Sequence, residues 1–195
     1  MKIITLISLL LTMTATAFPQ IRKGQFLIGG NIRFESINSE NLNIVTDKSI
    51  RFLISPNVGY FIIDKLAGGL RVDFGSYHSK SESIETHYIT TSISPFIRYY
   101  FLPFKNKINV LIDLGYIHNR IKWSSATNPG YYEKGKGYSI SVGPSIFLTD
   151  QVALEFTLGF RHTTTDNFYK TKSNIINSGF GLQIHLGKTK NRSKF

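Results

Sequence analysis

The residues able to do chemistry are few. Five histidines occur, His78, His87, His118, His162 and His185, and none stands at metal-ligand spacing from another histidine or a carboxylate. The nearest thing to a nucleophilic arrangement is Arg161-His162-Thr163-Thr164-Thr165-Asp166-Asn167. A hydroxyl nucleophile needs a base, and the base needs an orienting carboxylate. Asp166 is the only acid after His162, and no glutamate follows Glu155. The glycines form no phosphate-cradling loop, and the chain has no cysteine. These residues predict no catalytic site, no metal and no cofactor, with the histidines serving as polar residues at strand ends.

A second set of residues carries more information. Arg33, Glu35, Arg51, Arg71, Asp73, Arg98, Asp113, Glu155 and Arg161 fall at alternate positions opposite large aliphatic residues. The set holds five cations and four anions, and every cation is arginine rather than lysine. The guanidinium fork can bond several carboxylates at once, which suits an enclosed site. Near-balance of charge is what such a site requires, because an unpaired buried charge is costly. The expectation is a structural network inside a closed barrel, with Asp113 and Glu155 as its central anions.

Eight segments of period two must position these groups, since side chains alternate between the faces of a strand. They are Gln25–Glu35, Ile50–Ile63, Leu66–Tyr77, His87–Phe101, Ile108–Trp123, Gly137–Leu148, Val152–Thr163 and Ile175–Gly187. Each reaches the ~9–11 residues a strand needs to cross a bilayer. The connections alternate between tight turns (Asp64-Lys65, Lys105–Lys107, Thr149–Gln151) and longer polar stretches. The longer ones, Ser36–Ser49, Ser79–Thr86, Ser124–Lys136 and Thr164–Asn174, are expected to be extracellular loops. The fold predicted is all-β: an eight-stranded antiparallel up-and-down transmembrane barrel with both ends of the chain at the short-turn, periplasmic side.

Alternation alone leaves open which face points inward. A soluble lipocalin-like barrel would place the apolar face inside, around a ligand. The polar face decides for the membrane reading. It is rich in small residues such as Gly29, Ser55, Gly69, Ser92, Ser94, Gly115, Ser139, Ser141, Gly159 and Gly181, which suit a crowded interior better than a solvated surface. Aromatics bunch near strand ends: Tyr99, Tyr100, Phe101 and Phe104 at one end, and Tyr88, Trp123, Tyr131, Tyr132, Tyr138, Phe168 and Tyr169 at the other. Two aromatic girdles are expected at the membrane interfaces.

Charged residues make up only 18% of the chain, although the net charge is +11. Mean hydropathy is −0.06, as expected when two opposite faces average out. Lys2, the apolar run Ile3–Leu11 and Ala15-Thr16-Ala17 read as an export signal cleaved after Ala17. Residues 18–187 then form the barrel, and 188–195 form a basic tail dispensable for folding. In this partition most of the positive excess lies on the periplasmic rim and tail. No basic stripe interleaved with stacking aromatics appears, so nucleic acid is not an expected partner. The expected partners are outer-membrane lipid and lipopolysaccharide, for a protein acting as a monomer, with no extracellular partner identified.

Several stretches resemble the outer-membrane protein β-barrel domain family, the small barrels akin to OmpA and OmpX. Lys23-Gly24-Gln25-Phe26-Leu27-Ile28-Gly29-Gly30 is similar to the family's first strand. Asn177-Ser178-Gly179-Phe180-Gly181-Leu182-Gln183-Ile184-His185-Leu186-Gly187 is similar to its last. Ser55–Phe61, Ser94–Tyr100 and Gly143-Pro144-Ser145 resemble internal strands. The resemblance implies a non-enzymatic outer-membrane protein of a Gram-negative bacterium. Outer-membrane lipid A deacylases, which carry His-x-Ser-Asn and a downstream glutamate, offer a second comparison. Here Thr164 stands in the serine's place and the glutamate is missing.

Overall fold

The computed structural model describes residues 21–40, 47–81, 84–103, 106–125, 128–166 and 170–187. The predicted export signal and basic tail lie outside the described residues. Eight strands follow in chain order: β1 (Phe26–Glu40), β2 (Asp47–Ile63), β3 (Leu66–Ser81), β4 (Ile84–Tyr100), β5 (Ile108–Ser125), β6 (Asn128–Phe147), β7 (Val152–Asp166) and β8 (Lys170–Leu186). Each pairs antiparallel with its neighbours, and β8 returns to β1 to close a barrel.

The register fixes the barrel's dimensions. Straight across the strands, Phe26 faces Tyr60, then Gly68, Ile97, Leu114, Ile140, Phe160 and Ile176, and the path re-enters β1 at Ser36. From 26 to 36 the shear is ten residues. With eight strands, ~3.3 Å rise and ~4.7 Å spacing, that shear sets a tilt of about 41° and a backbone radius of about 8 Å. Such a cylinder has room for side chains and little else.

Side chains alternate along every strand. Phe26, Ile28, Ile32, Phe34, Ile54, Phe74, Ile93, Ile97, Leu158 and Ile176 are among the many large apolar residues left exposed on the outside. Phe156 and Leu182 also face outward, while the charged set faces inward, the reverse of a lipocalin-like barrel. Aromatics mark both edges of the apolar band. Phe26 contacts Tyr60, and Tyr99 contacts Phe101, at the short-turn end. Phe34 contacts Phe52, and Tyr138 stacks on His162, at the other.

The strands run further than periodicity suggested. In the segments expected to be loops, 36–49, 79–86, 124–136 and 164–174, the described residues are strand. Pairing continues to Ser39↔Asp47, Ser81↔Ile84, Ser125↔Asn128 and Asp166↔Lys170. A strand of 17 residues rises about 56 Å, or about 42 Å along the normal at this tilt, against an apolar band about 25 Å tall. The outer part of the barrel therefore rises past the hydrocarbon band. There stretches such as Glu133-Lys134-Gly135-Lys136 are polar on both faces, and the period-two signal ends although hydrogen bonding goes on.

The chain enters beneath the barrel. Gly24 has φ +88°, a left-handed conformation that glycine adopts without steric cost. Its N–H donates to the Phe61 carbonyl (2.9 Å), and the neighbouring Lys23 N–H donates to Asp64 Oδ1 (2.8 Å). Ile21 is thereby folded back into the barrel's lower end, where it is buried.

Candidate functional site: the filled lumen and the outer wall

The lumen is layered. At the short-turn end Ile21, Leu27, Phe61, Ala67, Phe96, Tyr100, Leu111, Phe147 and Ala153 form one apolar cluster. His185 is buried among its rings, with centroids 5.5 Å from Phe61, 5.9 Å from Tyr100 and 5.3 Å from Phe147. This corrects two expectations. His185 is an interior residue rather than a polar strand-end one, and Tyr100 lies inside the barrel rather than in the lower girdle. Alternation explains both: Tyr99 points to lipid, so Tyr100 must point to the lumen. The interior was expected to hold small and charged residues, so this floor of large apolar ones was missed. Its members were hidden between equally apolar outward neighbours.

Above the floor all nine charged residues face inward, each at most 6% exposed. They form two clusters. In the lower one Asp113 accepts from Arg71 Nη2 (2.8 Å to each oxygen) and from Arg98 Nε (2.9 Å). Arg98 Nη1 also donates to Glu155 Oε2 (2.8 Å), whose other oxygen accepts from the Tyr100 hydroxyl (2.9 Å). The Phe96 ring lies beneath both guanidinium groups, 4.9 Å from Arg71 and 5.5 Å from Arg98. The rigid fork of arginine lets one cation bridge β5 and β7 across the barrel, which a lysine point charge could not hold as firmly.

In the upper cluster Asp73 is the hub. It accepts from Arg33, from Arg161 Nη2 (3.0 Å) and from the Ser92 hydroxyl (2.6 Å). Glu35 accepts from Arg51 through Nε (3.1 Å) and Nη2 (2.6 Å), and Arg161 Nη1 lies 3.4 Å from its second oxygen. Ser55 and Thr90 accept from Arg33 and Arg51 respectively. Asp113 and Glu155 were expected to be the central anions; they anchor the lower cluster, and Asp73, which bonds as many arginines as Asp113 does, is a third centre. Its place near the middle of β3 was as visible in the sequence as theirs; only the shear, which brings β7 over β3, was not.

His162, the one residue weighed for nucleophilic chemistry, faces outward. Its Nδ1 lies 2.7 Å from Asn174 Oδ1, and its ring stacks on Tyr138 at 5.3 Å. Among the described residues no group of three or more His, Cys, Asp and Glu could hold a metal ion.

A closed antiparallel cylinder with an apolar outer band, aromatic edges and a charged, filled interior defines an integral membrane β-barrel. Residues 5–183 match the family described as outer membrane protein beta-barrel domain, and the chain belongs to it. It is accordingly a protein of the bacterial outer membrane. Comparison with curated proteins finds no match. Among solved structures, Neisserial surface protein A is similar with TM-score 0.61 and 16% identity, over 83% of this chain and 99% of that one. OprG of Pseudomonas aeruginosa is similar with TM-score 0.56 and 11% identity, over 89% of this chain and 99% of that one. At these identities the likeness is one of fold.

Proposed function

We propose that this is a non-enzymatic outer-membrane barrel whose lumen is closed by its own ion pairs and whose outer surface, not its interior, does the work. The observation that carries this reading is the pairing of nine charged side chains across a cylinder of about 8 Å radius. Groups held this way fix register and fill the space a solute would need. The partners available to the outer surface are outer-membrane lipid, lipopolysaccharide and whatever meets the projecting strand pairs. At His162 the group that meets Nδ1 is the Asn174 amide oxygen rather than a carboxylate, and the ring stacks on Tyr138.

Two measurements test the reading. Purified protein in planar bilayers is expected to give no sustained conductance; a stable open level abolished by restoring bulk at the lumen would overturn closure. Lipid A incubated with the reconstituted protein is expected to keep its acyl chains by mass spectrometry. Deacylation that disappears in His162→Ala would overturn the non-enzymatic assignment.

A further inference from the structure

The outer wall of β5 and β6 changes character abruptly above the apolar band. Tyr116 and Tyr138 are register partners at its upper edge. The next outward positions are His118 and Lys136, then Arg120 and Lys134, then Lys122 and Tyr132. Lys134 and Lys136 are on the wall of β6 and face outward. At this tilt the row of His118 stands about 5 Å above the tyrosines and the row of Arg120 about 10 Å above, within headgroup depth.

The cations are arranged around a groove. Tyr132 lies under Arg120, whose guanidinium carbon is 4.3 Å from the ring centroid, and Lys122 Nζ is 5.7 Å from the same ring. A groove of about 540 Å³ runs between these groups and Ile89, Thr91 and Ile93 of β4. The next outward positions below, Pro95 on β4 and Tyr116 on β5, open a second groove of about 580 Å³ walled by Ile97, Leu114 and Ile140. Pro95 has no N–H, and the β4–β5 pairing skips from Ile93↔His118 to Phe96↔Gly115 beside it. The two grooves follow one another down the same stretch of wall, cationic at the top and apolar below.

Among the described residues, none of Arg120, Lys122, Lys134 and Lys136 has a carboxylate within ion-pair distance. Asp166 is the one acid opposite them in register, across from Lys134. The contrast with the lumen, where every arginine is paired, is sharp. Uncompensated cations at headgroup depth are placed to attract an anion from outside the chain.

We propose that this pair of grooves binds a phosphorylated outer-leaflet glycolipid of the lipid A type, with a phosphate among Arg120, Lys122 and Lys134 and an acyl chain along Ile93, Pro95 and Leu114. The assignment rests on the outer-surface reading above and gives it a site. Arginine supplies a fork for phosphate oxygens, and the lysines add point charges. Charge alone would suit any polyanion. The apolar groove directly beneath the cations selects a lipid.

The test uses the full-length barrel in detergent micelles, with bound lipid counted by native mass spectrometry. The probes are bisphosphorylated lipid A, the same lipid with both phosphates removed, and inorganic pyrophosphate. One bisphosphorylated lipid A is expected per barrel, with the other two probes at least tenfold weaker. Arg120→Gln with Lys134→Gln should weaken lipid A by roughly 10- to 30-fold. Lys107→Gln, on the opposite rim, should change it less than twofold. Heat-modifiable gel mobility confirms that each variant is folded. Equal binding of the phosphate-free lipid, or unchanged affinity in the double variant, overturns the site but leaves the lipid-facing role standing. Pyrophosphate binding as tightly as lipid A overturns the lipid as occupant. Failure of every lipid to bind the native barrel overturns the broader reading of the outer surface.

Discussion

Two halves of the same lumen are filled by different physics. The floor, around Phe61, Leu111 and Phe147, is held by apolar contact that has no preferred direction. The middle is held by hydrogen-bonded charges, each tied to particular atoms on other strands. Arg98 reaches both β5 and β7, and Arg161 on β7 reaches β1 and β3. The difference predicts what each region tolerates. An apolar floor accepts substitutions that keep volume, whereas a charge network fails when one member is removed and its partners are stranded.

The largest expected effect comes from Asp113→Ala, which leaves Arg71 and Arg98 facing each other with one acceptor fewer. Urea unfolding of the folded barrel in detergent should show a loss of about 3–5 kcal/mol. A loss under ~1 kcal/mol would mean that the middle is solvated and the contrast with the floor is false. Gly69→Val comes next. A Cβ there would meet the Phe96 ring and the Gly59 Cα, both at 2.7 Å, pressing the floor into the cations above it. Overpacking of this kind should cost about 1–3 kcal/mol in the same assay.

Leu27→Met probes the floor alone. It keeps the volume of a fully buried side chain and should cost under about 1.5 kcal/mol. A cost matching Asp113→Ala would show that the floor is as exacting as the network. The smallest effect is expected outside the barrel. Lys172→Gln replaces an exposed, outward-facing residue on β8, and the unfolding midpoint should move by no more than the equivalent of about 0.5 kcal/mol.

Much of this was legible in the sequence wherever the two faces differ in chemistry. Phe26, Ile28 and Ile32 alternate with Asn31 and Arg33, so β1 announces both its structure and its orientation. All nine lumen charges could be named because each interrupts an aliphatic row. Legibility failed where the faces match. Near the short turns, runs such as Tyr60-Phe61-Ile62-Ile63 and Tyr99-Tyr100-Phe101 are apolar on both sides, which concealed the floor. Beyond the band, stretches such as Glu133-Lys134-Gly135-Lys136 are polar on both sides, which disguised strand as loop. Which arginine meets which carboxylate depends on shear, a property of closure that no single segment carries.

Closure also bears on how the chain can arrive at this state. The seam joins Phe26 to Leu186, and the Arg161–Asp73 contact spans 88 positions along the chain. Contacts of such sequence separation come late and make folding slow. Until the cylinder closes, Arg98 on β4 lacks Glu155 on β7, and Arg161 on β7 lacks Glu35 on β1 and Asp73 on β3. In a bilayer an ionised group without a partner is expensive, so single hairpins have no cheap way to enter lipid and wait for the rest. The wall and its contents must therefore appear together, and an incomplete cylinder is penalised twice, once for its open edges and once for the charges it exposes.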